Sequence, residues 1–147
     1  MGAISKTFNR KIFLFTENLT SHKYLNILDE QLKNETNYVY QDDNDPKHRS
    51  KIVTKWKTDN NIISLEWPSN SPDLNPIENI WAILKNKIRK IKHNTITEFK
   101  ENIIKFWNDI PNEHIVNTIN SMPKRINEVI KNLRYYKILN VMHIFIL

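Results

Sequence analysis

Trp67-Pro68-Ser69-Asn70-Ser71-Pro72-Asp73-Leu74-Asn75-Pro76-Ile77-Glu78-Asn79-Ile80-Trp81 is the stretch that decides how this chain is read. Pro68, Pro72 and Pro76 punctuate a loop that neither a helix interior nor a central strand could contain, so the loop must be specific in shape. The pattern then changes: Asn75 is a good N-cap, Pro76 suits the first helical position, and Glu78 stands where a capping box places its carboxylate. Ile80, Trp81, Leu84, Ile88 and Ile91 continue as the buried stripe of that helix. Taken alone, Glu78 is most simply a capping residue.

Working outward, residues 62–65 read as a strand. Before them, Asp45 caps a helix that starts at Pro46 and carries Ile52, Val53 and Trp56. Tyr38-Val39-Tyr40-Gln41 is a compact strand, and Asp43 lies just past its end. Tyr24, Leu25, Leu28 and Leu32 recur at helical spacing behind Thr20 or Ser21, and the polar residues 33–37 end that helix. Residues 2–5 and 11–16 form a hairpin across a turn at 6–10. Downstream, Thr95-x-x-Glu98 opens a helix bearing Ile96, Phe99, Ile103 and Phe106, and Ser121-Met122-Pro123 opens another bearing Ile126, Val129, Ile130 and Leu133. Strands separated by helices in this order predict an α/β sheet with helical additions.

Open α/β sheets keep their sites in loops beyond the carboxyl ends of strands. Asp43 occupies one such place, and Glu78 opens the helix after the next strand, with 34 residues between them. Two carboxylates brought together there are hard oxygen ligands suited to Mg²⁺. A pair of such ions about 3.5 to 4 Å apart activates a nucleophile and stabilises the leaving oxygen of a phosphodiester. Asp42 is the neighbouring alternative to Asp43.

Composition points the same way. The chain has 147 residues, enough for one core and too few for two ordinary domains, and 22 Lys and Arg against 16 Asp and Glu give a net charge of +6 that favours polyanionic partners. Zero cysteines exclude disulfides, cysteine-ligated zinc, iron–sulfur clusters and thiol chemistry, and favour an intracellular address. The five histidines show no zinc spacing and read as scattered surface residues. Lys85, Lys87, Arg89, Lys90 and Lys92 make a basic run on the Glu78 helix, either a solvated face or, if it meets a groove, a phosphate-binding one. Trp56, Trp67, Trp81 and Trp107 read as core or loop anchors. No stretch reads as a signal peptide, and residues 135–147 are broken by Lys137, Asn140 and His143, so no membrane partner is expected.

Gln41-Asp42-Asp43-Asn44-Asp45-Pro46-Lys47-His48, together with the opening stretch, closely resembles the two signature blocks of Tc/mariner transposases. Gly2-Ala3-Ile4-Ser5 and Ser121-Met122-Pro123-Lys124-Arg125 are similar to that family's flanking blocks, so the resemblance runs from residue 2 to about residue 133. The resemblance implies a ribonuclease-H-like fold in which two Asp and one Glu surround divalent metal, Mg²⁺ or Mn²⁺, to cut DNA at element ends and join it elsewhere. It makes Asp43 the second catalytic Asp and Glu78 the catalytic Glu, both as metal ligands. Lys47, His48, Lys85 and Arg89 become candidate nucleic-acid contacts.

The sequence also departs from the family. The first catalytic Asp belongs upstream of Gly2-Ala3-Ile4-Ser5, no acidic residue precedes Glu17, and the two-ion site is therefore incomplete. The expected architecture is a partial ribonuclease-H-like α/β fold lacking its first strand, with carboxyl-terminal helices. Its division is a partial catalytic domain over 1–109 and a helical extension with an atypical apolar tail over 110–147. That missing strand would lie between the strand of residues 2–5 and the strand ending at Gln41, leaving two edges unpaired or forced together. The functional expectation is a truncated transposase, inactive alone, located in the nucleus and bound to the DNA of transposon ends, as a homo-oligomer or in mixed assembly with full-length transposase. The alternative is a non-catalytic remnant that binds DNA or interferes with transposase.

Overall fold

Alternation along the first strand sets the layout. In the computed structural model, which describes residues 1–6, 10–32, 38–43, 45–65, 71–131 and 144–146, β1 (Gly2–Ala3) pairs antiparallel with β2 (Lys11–Ile12). The ladder continues through reciprocal bonds between Met1 and Phe13, 2.7 and 2.9 Å long. Successive strand residues face opposite ways, so Ala3 and Ile4 enter different apolar clusters. Ala3 meets Tyr24, Leu28 and Leu32 of α1 (Ser21–Leu32), Tyr40 of β3 (Val39–Gln41) and Val53 of α2 (Lys51–Asp59).

Ile4 meets the helices of the other side: Ile77, Ile80 and Leu84 of α3 (Pro76–Ile88), Trp107 of α4 (Ile96–Asn108), Ile115 and Ile119 of α5 (Asn112–Asn120), and Met122 and Ile126 of α6 (Met122–Lys131). The single glycine of the chain sits where these layers come closest. A Cβ on Gly2 would lie 2.8 Å from ring carbons of both Trp81 and Trp107, whose ring centroids are 5.1 Å apart. Hydrogen is the only side chain that lets β1 lie against this tryptophan pair.

β3 carries partners on both edges. Tyr40 forms a parallel bridge with Ser64 through bonds of 2.7 and 2.8 Å, and the whole of β3 pairs in parallel with β4 (Ile144–Ile146), Val39 opposite Ile144 and Gln41 opposite Ile146. The apolar tail, which the sequence reading set apart from the family pattern, thus supplies a backbone strand, and the edge of β3 expected to stand open is filled.

Other expectations change in detail. The helix expected from Pro46 begins at Lys51 instead: Asp45 closes a turn over 46–49, and Ser50, extended at φ −63 and ψ 151, separates that turn from α2. α3 stops at Ile88, leaving Ile91 exposed. On α4 the core residue is Trp107, while Ile96 is 70% exposed. α5 was not separately expected. The turn residues 7–9, the helix end at 33–37, the loop residues 66–70 and Leu133 lie outside the described residues.

Candidate metal and nucleic-acid site

Beyond β3 the chain splits two adjacent aspartates between two environments. Asp42 turns inward: its Oδ2 is 2.6 Å from Lys57 Nζ and accepts the Tyr24 hydroxyl at 3.1 Å, and both charged side chains are nearly buried. Tyr24 and Tyr40 share a short hydroxyl contact, and Lys57 Nζ stands 4.6 Å from the centre of the Tyr40 ring. Burial, reinforced by Asp42, pushes both phenols well above their ordinary pKa. A carboxylate engaged this way is structural, and removing one partner of such a pair costs about 3 to 5 kcal/mol.

Asp43 turns outward, its side chain 62% exposed. Its Oδ1 lies 2.6 Å from Nδ1 of His48 and accepts the Asp45 backbone N–H at 3.1 Å. The His48 contact holds the Asp43 carboxyl below its usual range, against the upward pull of partial burial, and the Asp45 amide adds to the lowering. His48 was expected on the surface. Its ring is instead buried, 8% exposed, and stacked on Tyr24 with centroids 4.0 Å apart, so it addresses Asp43 from beneath. Lys47 forms an ion pair with Asp45, whose Oδ1 also accepts the Lys47 backbone N–H at 3.0 Å.

Glu78 is placed by the start of α3. Asn75 caps the helix, accepting from the Ile77 amide at 3.4 Å, and Pro76 follows. The reciprocal half of a capping box is not made, because the Asn75 N–H is already given to Pro72 O at 3.1 Å within the 3-10 turn Pro72–Leu74. Among the described residues the Glu78 carboxylate has no hydrogen bond or ion pair, and it is exposed. Asp43 follows β3 and Glu78 opens α3, and among the described residues no group of three or more His, Asp or Glu side chains could hold a metal ion. Lys85 and Arg89 are exposed on α3, whereas Lys87 is half-buried with its Nζ 5.9 Å from the Phe106 ring centre.

Sequence reasoning did not single out Arg125 or the Lys57–Asp42 pair. Arg125 donates from Nη1 to Asp73 O and Asn79 Oδ1, and from Nε to Ser121 Oγ. Its presence in the Ser-Met-Pro-Lys-Arg block was the available signal; the pair below Asp43 had none, since Lys57 falls in an ordinary amphipathic helix.

Residues 1–100 match the family profile of the DDE superfamily endonucleases. The chain belongs to that family. Among curated relatives of this DDE chain, the Tc1 transposase of Caenorhabditis elegans is 40% identical over 93 residues and the Tcb2 transposase of Caenorhabditis briggsae 38% over 93, each alignment covering 63% of this chain and 34% of the relative. The chain spans about a third of the length of these relatives. The Mos1 transposase catalytic domain, solved with raltegravir and Mn, superposes at a TM-score of 0.73 over 88% of this chain and 71% of that one, at 16% identity. The DDE chain thus has the ribonuclease-H-like α/β fold. Among its described residues no helix is long and apolar enough to cross a membrane.

Proposed function

We propose that Asp43 and Glu78 are two of the metal-binding carboxylates of a DDE-type transposase catalytic domain that cleaves DNA at transposon ends and joins it elsewhere. The observation that carries this reading is Glu78. A glutamate in the first turn of a capped helix normally closes the cap, and here the backbone donor is already taken, so the carboxylate is exposed and, among the described residues, unengaged. The donor set fits a hard divalent cation: Asp43 is held ionised by His48 and Asp45 with Oδ1 oriented, and Glu78 is available. When bound, Mg²⁺ or Mn²⁺ would supply activation of a nucleophile and charge stabilisation at the phosphodiester. The protein's part is to orient Asp43 through His48, to present Glu78 from α3, and to attract DNA through its positive charge and the exposed Lys85 and Arg89. Lys47 is tied to Asp45 and contributes at the edge of that field.

A catalytic site of this family needs three carboxylates, so the 147 residues taken alone are proposed to bind DNA without cutting it. We assign residues 1–109 to the catalytic portion and residues 110–147 to a carboxyl-terminal extension that contributes α5, α6 and β4, with the nucleus as the place of action. The exposed Lys85, Arg89, Lys90 and Lys92 support the second reading, a non-catalytic DNA-binding role, alone or in assembly with full-length transposase.

The test is metal-dependent nicking of supercoiled plasmid by the 147-residue chain and by the same chain preceded by the upstream segment of Tc1 transposase. No nicking is expected from the first, and nicking from the second is expected to vanish in Asp43→Ala and Glu78→Ala. Extended variants that nick as well as their parent would sink the catalytic reading. DNA binding that does not weaken steeply with salt would sink the electrostatic one.

A further inference from the structure

The start of α3 is held from outside its own sequence. We propose that Arg125 is a positioning residue for Glu78, an inference that rests on the reading of Glu78 given above. From α6, Arg125 reaches back to the loop that delivers α3, with Nη1 3.0 Å from Asp73 O and 2.9 Å from Asn79 Oδ1. Its Nε donates to Ser121 Oγ at 2.9 Å, and Ser121 in turn donates to Thr118 O at 2.6 Å, which ties the guanidinium to the end of α5.

Two features separate this from an ordinary surface arginine. All three acceptors are neutral, and among the described residues no carboxylate pairs with Arg125, so the side chain is engaged by its fork geometry rather than by charge neutralisation. The two positions it joins also bracket Glu78: Asp73 lies in the turn before α3 and Asn79 directly follows Glu78. Within the segment the turn has only local backbone bonds and a long Asn75 cap at 3.4 Å, and among the described residues the Glu78 carboxylate has no partner. Arg125 therefore sets the angle between the 3-10 turn and α3, and with it where the Glu78 carboxylate stands. The apolar side of the same contact is made by Leu74, Met122 and Ile126 in one cluster.

The experiment compares the full chain with Arg125→Met, Arg125→Lys and Asn79→Ala. Amide hydrogen exchange is read by NMR, followed by Mn²⁺ titration read as paramagnetic broadening. Exchange at Asn75 and Glu78 is expected to accelerate about tenfold in Arg125→Met and as much in Arg125→Lys, because an ammonium cannot span three acceptors, while Phe99 and Asp109 amides on α4 stay unchanged. Adding Asn79→Ala to Arg125→Met should bring little further change. The Mn²⁺ concentration that broadens Glu78 should rise roughly tenfold in both arginine variants.

Parental exchange in Arg125→Met, or an Arg125→Lys that matches the parent, overturns the proposal, the latter because charge alone would then suffice. If Arg125→Met does not fold, Asn79→Ala carries the same exchange test from the other side of the bond. If Mn²⁺ broadens neither Asp43 nor Glu78 in the parent, the metal reading of Glu78 fails, while exchange still decides whether Arg125 holds the turn.

Discussion

Helices α3 and α4 both open with a side-chain cap followed three residues later by glutamate, Asn75 with Glu78 and Thr95 with Glu98, yet the two glutamates end in opposite conditions. On α4, Thr95 accepts the Glu98 amide at 3.1 Å and the Glu98 carboxylate returns to the Asn94 amide at 2.9 Å. On α3 the corresponding donor, the Leu74 amide, is given to Ser71 O and the Asn75 amide to Pro72 O, and among the described residues Glu78 has no partner. The proline-rich approach makes the difference, since a 3-10 turn satisfies its own amides before the helix begins. One pattern thus closes a helix in one place and leaves an exposed carboxylate in another.

The largest expected effect removes the footing both helices share. Gly2→Val should cost about 2 kcal/mol in urea unfolding, because the added carbons meet Trp81 of α3 and Trp107 of α4 together. Next, Glu78→Ala should weaken Mn²⁺ binding by calorimetry at least about tenfold, whereas Glu98→Ala should leave it unchanged. Equal losses would erase the contrast. Thr95→Ala should destabilise by about 1 kcal/mol and Asn75→Ala by about half that, in line with the longer Asn75 bond. Glu98→Ala should cost about 0.5 kcal/mol and Glu78→Ala close to nothing, both by thermal unfolding.

A pH-dependent effect concerns Asp43, a tethered carboxylate to set beside Glu78, which has no partner among the described residues. Its folded pKa is depressed below 3.8, so the stability it contributes is present above that value and lost as pH falls through the folded one. His48→Phe keeps a ring against Tyr24 and removes the contact. Carbon-detected NMR should show the Asp43 titration moving up, and the urea midpoints of parent and variant should differ at neutral pH and converge in acid.

Much of this was legible. The Asn-Pro-x-Glu start gave α3, the aromatic run gave the hairpin, and strand followed by Asp-Asp placed the candidate ligands. The fate of Glu78 was not readable, because Glu98 obeys the same pattern and the outcome depends on which backbone amide is already bonded. His48 escaped because nothing local distinguishes a histidine stacked on Tyr24 from a surface one. α5 was missed because only Ile115 and Ile119 enter the core and its N-cap, Pro111, makes no side-chain bond. The turn at 46–49 read as helix because Asp45 caps either equally well, and Ser50 decides.

The pairing of β3 with β4 has a kinetic consequence. It joins segments roughly a hundred residues apart, and closing so long a loop is expected to follow the hairpin and helices. Until then one side of β3 is a row of unsatisfied amides and carbonyls open to any extended chain. Refolding should therefore end in a slow phase that removes this exposure, and a chain cut after residue 131 would keep it and self-associate through that edge.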